Sequence, residues 1–272
     1  MCRRSFMSEI LKKVDLRPFL ETVVEDSQLH PRWLETLSLL ENMGARKIHK
    51  SMARFPAHLQ NAETVLQHAA EEARHAYFFK KQIGRLLQFE NNSPEKNATE
   101  SGQGLKTSPP ESEKTPLSPV SPSAISETSA GRRNSEEIQE EQKSPPALCK
   151  WAGIKYFQSL DALCRDRSVE LLPKSSQYQT FFSYLAVTYI IEERAVDVYR
   201  DYEALLREKD LPIHLSGILK EEEGHMQEIR NMAGELPVDF EQELQALGEK
   251  EAVLFQKFAE SLSQTALTEA LL

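Results

Sequence analysis

Six residues of this 272-residue chain stand in a pattern that could do chemistry: Glu41, Glu72, His75, Glu192, Glu222 and His225. Glu72 with His75, and Glu222 with His225, each form a Glu-x-x-His, and each is preceded by a glutamate, Glu41 or Glu192, about one helical hairpin earlier. The second set restates the first: Glu72 to Glu222 and His75 to His225 are both offsets of 150, and Glu41 to Glu192 is 151. On a helix, residues i and i+3 share a face, so each Glu-x-x-His presents an oxygen and a nitrogen to the same point. Carboxylate oxygens with neutral imidazole nitrogens suit iron or manganese better than metals that prefer thiolates. One such tetrapeptide arises by chance in an acidic chain, whereas two at matching spacings are specific. The bland alternative is a metal-free bundle, because each motif sits in a run of acids (Glu71-Glu72, Glu192-Glu193, Glu221 to Glu223) and such runs are commonly solvated helix faces.

The stripes that carry these residues decide between inside and outside. A helix is predicted over 31–54, with Leu34, Leu37, Glu41, Ala45 and Ile48 on one face. A second, over 57–89, aligns Val65, His68, Glu72, His75 and Phe79. A third, over 177–209, aligns Leu185, Tyr189, Glu192, Val196 and Tyr199, and a fourth, over 213–233, aligns Leu215, Ile218, Glu222, His225 and Ile229. Each apolar stripe therefore places a carboxylate in the core. A buried, unpaired carboxylate costs several kcal/mol, and four at one level would repel each other. Two divalent cations balance four carboxylates, with two neutral imidazoles completing the set.

The rest of the chain positions these four helices. Residues 1–30 read as a helical extension, with a short helix or two over 8–25 interrupted near Pro18. Residues 31–90 are the first hairpin. Residues 91–146 are rich in Ser, Pro, Glu and Lys and lack aromatic residues, so they are expected to form a disordered insertion rather than a domain. Residues 147–235 hold a short connecting helix and the second hairpin, and 236–272 an amphipathic helix over 239–262. Short turns make neighbours antiparallel, and the crossover of some 85 residues lets the second and third helices run parallel.

The segments LLENMGARKIHKS, HAAEEARHAYFF, YIIEERAVDVY and LKEEEGHMQEI resemble those of the ferritin-like di-iron carboxylate proteins, which include rubrerythrins, bacterioferritins and several oxygenases. The resemblance covers roughly residues 31–90 and 177–233. It implies an all-α, ferritin-like four-helix bundle, with extra helices at both ends. It also implies two iron ions, with manganese as the alternative, held by Glu41, Glu72, His75, Glu192, Glu222 and His225, with Glu72 and Glu222 as bridges. Tyr199, one heptad after Glu192, stands where family members often carry a tyrosine that donates a hydrogen bond or an electron; packing accounts for it equally well. His68, one turn before Glu72, is read as a group beside the ligands, as a further ligand, or as a core histidine with a backbone partner. Tyr189 and Tyr202 are read as core or surface residues, Trp33, Trp151 and the aromatics around Tyr156 and Phe181 as packing residues, and His30, His49, His58 and His214 stand outside the pattern.

Composition excludes other classes. A net charge of -9 argues against nucleic-acid binding, which needs a basic face. No apolar run reaches the ~18–20 residues that span a bilayer. The opening MCRRSFMSEILKK lacks the apolar core of a secretory signal, and three scattered cysteines form neither a disulfide framework nor a CxxC metal site, so a soluble cytoplasmic protein is expected. The function expected is a dimetal oxidoreductase that activates oxygen or peroxide, fed by an external electron donor and able to form a homodimer. The missing CxxC argues against a full rubrerythrin, and the long insertion against a storage cage. The alternative is a metal-binding or scaffold bundle without turnover.

Overall fold

The computed structural model describes residues 10–55, 62–91 and 144–271. The protein is all-α. Its helices are α1 (Arg17–Glu25), α2 (Leu29–Met52), α3 (Ala62–Asn91), α4 (Lys150–Leu171), α5 (Ser176–Glu208), α6 (Ser216–Ala233) and α7 (Phe240–Glu269). All seven lie in one compact unit, formed by residues 1–90 and 144–272. The expected insertion falls outside the described residues, apart from Asn91 and 144–146. Among the described residues no helix is long and apolar enough to cross a membrane.

Four helices, α2, α3, α5 and α6, enclose a common interior, and their side-chain pairs give the directions. Lys80 reaches Glu35, and the Ser38 hydroxyl donates to the Ala76 carbonyl at 2.8 Å, so α2 and α3 are antiparallel. Arg200 pairs with Glu223 at 2.7 Å, and Glu203 accepts from the Leu215 amide at 2.5 Å, so α5 and α6 are antiparallel too. His68 meets Glu192 and, eleven residues on, Phe79 meets Tyr199, so α3 and α5 run parallel. The connection from α3 to α5, which includes α4, permits that arrangement.

Local sequence explains the ends. Pro18 sits in the first turn of α1, where its missing N–H is not needed; it starts the helix rather than interrupting it, and residues 10–16 are not helical. Ser175 caps α5 by accepting from the Tyr178 amide, and Asp239 caps α7 by accepting from Gln242 at 3.1 Å. α7 runs seven residues past the predicted end at Leu262, because Ala266 is buried and continues its apolar stripe. Residues 57–61, the predicted start of the second helix, lie outside the described residues.

The outer helices close the core. Tyr156 of α4 stacks with Phe258 of α7, their centroids 5.7 Å apart, and Tyr156 also meets Phe255 edge-on at 5.5 Å. Each such buried side chain contributes about 1.5–3 kcal/mol. Trp33 and Phe181 are fully buried as expected of packing residues, but Trp151 is 75% exposed and only carries Lys150 over its ring. Its place at the first turn of α4 points it to solvent, so the packing expectation for it is corrected.

Candidate metal centre

All six expected ligands are buried, and their helices bring them to one place. Their atoms fall into two groups: Glu41, Glu72, His75 and Glu222, and His68, Glu72, Glu192 and His225. Within each group one ligand atom per residue lies within 4.8 Å of every other. Glu72 is common to both. Its Oε1 stands 3.5 Å from His68 Nε2, 3.7 Å from His75 Nδ1 and 3.5 Å from His225 Nδ1.

The centre leaves polar atoms unused. Glu72 Oε1, His75 Nδ1 and Glu222 Oε1 are buried and have no hydrogen-bond partner, although His75 Nδ1 and Glu222 Oε1 are 3.1 Å apart. A buried unsatisfied polar atom costs about 1–3 kcal/mol, and charged ones cost more. All three belong to residues of one group, Glu41, Glu72, His75 and Glu222, whose donor atoms are close enough to share a cation. The donor set, hard oxygens with imidazole nitrogens, fits a divalent first-row metal.

Electrostatics describe the same imbalance. Burial, and then the Glu192, Glu222 and Glu41 charges, hold the Glu72 carboxyl well above the usual carboxylate range. Burial and Glu222 raise Glu41, and burial and Glu192 raise Glu222. The imidazoles answer this surplus of negative charge. Burial alone would lower His75, but the Glu222 carboxylate 3.1 Å from its Nδ1 and the charge of Glu41 raise it to about 9. His225, likewise against burial, is raised to about 11 by Glu192 and Glu222. His68 goes the other way, down to about 3, through burial and the neighbouring His225. Their rings stack with centroids 3.9 Å apart.

Beyond the ligands the acidic runs have work of their own. His75 Nε2 donates to Glu221 at 2.7 Å, and His225 Nε2 donates to Glu71 at 2.8 Å. Each acid is the residue before a ligand glutamate, and each reaches across to the histidine of the opposite helix. The two hairpins thus exchange carboxylates in matching positions. A carboxylate on the outer nitrogen fixes the ring and leaves Nδ1 facing inward, as metal-ligating histidines require. The sequence pattern assigns Glu71 and Glu221 no role; their spacing, one residue before each candidate ligand glutamate, is the available signal.

Tyr199 donates its hydroxyl to Glu41, and burial with Glu41 raises its pKa. His68 Nε2 meets a side chain, Glu192 Oε1, at 3.0 Å. Tyr184 was not singled out by sequence. It is fully buried, its hydroxyl lacks a partner, and burial together with Glu192 and Glu72 raises its pKa. It lies eight residues before Glu192, about 80° round the helix, and so falls off the stripe that marks the ligands. His30, outside the site as expected, accepts from or donates to Tyr202 across 2.5 Å. Comparison with known proteins adds no name to this arrangement: no family model, no curated protein and no solved structure matches the chain.

Proposed function

We propose that this protein is a ferritin-like dimetal oxidoreductase that holds two iron ions, with manganese as the alternative, and activates oxygen or peroxide. One observation carries the proposal: two buried four-residue ligand groups that share Glu72, around atoms with no other partner. Glu41, His75 and Glu222 would hold one metal and His68, Glu192 and His225 the other, with Glu72 between them. The resemblance of the four motif segments and the parallel course of α3 and α5 support the same family. A pair of such metals would supply redox chemistry toward oxygen or peroxide.

The chain's own residues set the conditions. Glu71 and Glu221 hold the His225 and His75 rings. Tyr199 steadies Glu41 and keeps a proton at its hydroxyl. Electrons come from a separate donor, since the sequence holds no CxxC pair for an iron of its own.

Anaerobic Fe(II) loading followed by oxygen or peroxide tests this. The expected result is two irons per chain and the visible absorption of an oxo-bridged diferric centre. Loading without oxygen or peroxide consumption would leave a metal-binding scaffold, and the absence of bound iron would overturn the site.

A further inference from the structure

One side of α3 is buried in the bundle, along Val65, His68, Glu72, His75 and Phe79. On its outward side Leu66, Ala70, Ala73 and Tyr77 are exposed, within about 60° of one another around the axis. Leu66 is 44% exposed and Tyr77 67%, and neither joins the core. Steps of 4, 3 and 4 residues are those of a coiled-coil seam. Glu63 and Lys80, both exposed, extend the seam by 3 residues at either end.

The order of residues along this seam is self-complementary. Leu66 with Tyr77, Ala70 with Ala73, and Glu63 with Lys80 are all pairs centred on the point between Glu71 and Glu72. A half-turn about an axis through that point lays a second α3 antiparallel on the first. Leu66 then meets the partner's Tyr77, Ala70 the partner's Ala73, and Glu63 the partner's Lys80, each contact occurring twice. Alanines at the middle let the axes approach to about 8 Å, the near end of the range for packed helices. A parallel, in-register pair would instead oppose like charges at both ends. The charges along the seam also favour a like chain: Glu63, Arg74, Lys80 and Lys81 include one acid, so this strip escapes the surplus behind the net charge of -9. Lys80 is paired with Glu35 in its own chain, yet its side chain stays 40% exposed and open to a second carboxylate.

We infer that the outward face of α3 is a homodimer interface, on which a second copy of this chain docks antiparallel with Glu63 paired to the partner's Lys80 at both ends. A single helix pair falls at the small end of specific interfaces, below about 1,200 Å² of buried surface, so the dimer is a weak one, with Kd roughly 1–100 μM. The inference stands apart from the dimetal reading, because none of the seam residues is a candidate ligand.

Sedimentation equilibrium of the full metal-free chain, from about 1 μM to about 500 μM, tests this. Wild type should pass from monomer to dimer across that range. Ala73→Arg, at an exposed helical position that tolerates arginine, should weaken the dimer by about 100-fold or more while leaving helicity unchanged. Glu63→Lys and Lys80→Glu should each weaken it about tenfold by opposing like charges at both ends. Mixing those two variants should restore wild-type association, because the mixed dimer again opposes unlike charges at each end. A wild type that stays monomeric at the highest concentration would overturn the inference. So would a dimer that Ala73→Arg leaves intact, since it must then form elsewhere. Failure of the mixed variants to recover would rule out the antiparallel register.

Discussion

Two clusters of buried charge lie within a few residues of each other on α5, and they are built on opposite principles. Glu192 faces the candidate metal centre; Arg194, two residues on and about 200° round the helix, faces α4 and α7. The Arg194 cluster is closed. Its guanidinium donates to both oxygens of Glu251, at 2.9 and 2.6 Å, and to the Lys12 carbonyl at 3.2 Å. Tyr156 donates to the same carboxylate at 2.8 Å, and the Phe255 ring lies 4.3 Å from the guanidinium carbon. Around Glu192 the balance is open: four carboxylates, atoms without partners, and Glu41, Glu72 and Glu222 held above the usual carboxylate range by burial and neighbouring charge. A closed cluster needs nothing further and locks α4, α5 and α7 to the N-terminal segment. An open one, retained in an otherwise well-packed core, fits a missing cation.

The largest effect should separate the clusters by sign. Glu251→Ala strands a buried guanidinium and should cost about 3–5 kcal/mol in urea unfolding, with or without metal. Glu72→Gln removes one charge from a crowd of like charges, so the metal-free protein should unfold at the same or higher urea concentration. Loading with Fe(II) should stabilise the wild type and leave Glu72→Gln where it was. Equal losses from both variants in metal-free protein would break the contrast.

Between these extremes stands a neutral pair, His30 with Tyr202. Burial lowers His30 from its ordinary 6.5 to about 4. Between those values the unfolded chain binds a proton that the folded chain does not, so folding stability falls as pH drops through this window. The full loss is about 3 kcal/mol, and none of it appears above pH 6.5. Comparing urea unfolding at pH 7 and pH 4.5 should show a drop about 2–3 kcal/mol smaller in His30→Gln than in wild type. An identical drop would mean that His30 charges without penalty.

The contrast between the clusters also explains what the sequence made legible. The candidate ligands stood out because their pattern repeats: a carboxylate on each of four apolar stripes, at offsets of 150 and 151. The four helices that carry them followed from 3.6-residue periodicity, and their predicted ends differ from the described ones by a few residues, whereas α1 starts nine residues late and α7 ends seven residues late. Arg194 and Glu251 left no such trace. They occur once each, 57 residues apart, and only the packing of α5 against α7 joins them. Glu71 and Glu221 hid in acidic runs, because a run does not say which member reaches across to another helix. Trp151 shows the converse, since an aromatic side chain alone does not establish burial.

The outer carboxylates offer a finer test of the open cluster. Glu71 and Glu221 have side chains 23% and 33% exposed, so their loss should leave folding nearly unchanged. Glu221→Gln or Glu71→Gln keeps the shape but removes the charge that orients His75 or His225. Each should weaken metal binding about 10–100-fold, read by competition with a chromophoric chelator. Undiminished affinity in both would reduce these contacts to surface pairs.

The smallest effect concerns a glycine. On Gly44, inside α2, a Cβ would stand 3.2 Å from Glu72 Oε2, closer than ordinary contact. Alanine should favour the helix by up to about 1 kcal/mol over glycine, so Gly44→Ala should raise the stability of the metal-free protein. The same methyl must push the Glu72 carboxylate by a few tenths of an ångström, and that carboxylate serves both ligand groups. Iron should therefore bind less tightly, by about tenfold or less, in a protein that is harder to unfold. A gain in both stability and affinity would show that Glu72 has room to move, and that the close approach of α2 to the centre is packing without consequence for the metals.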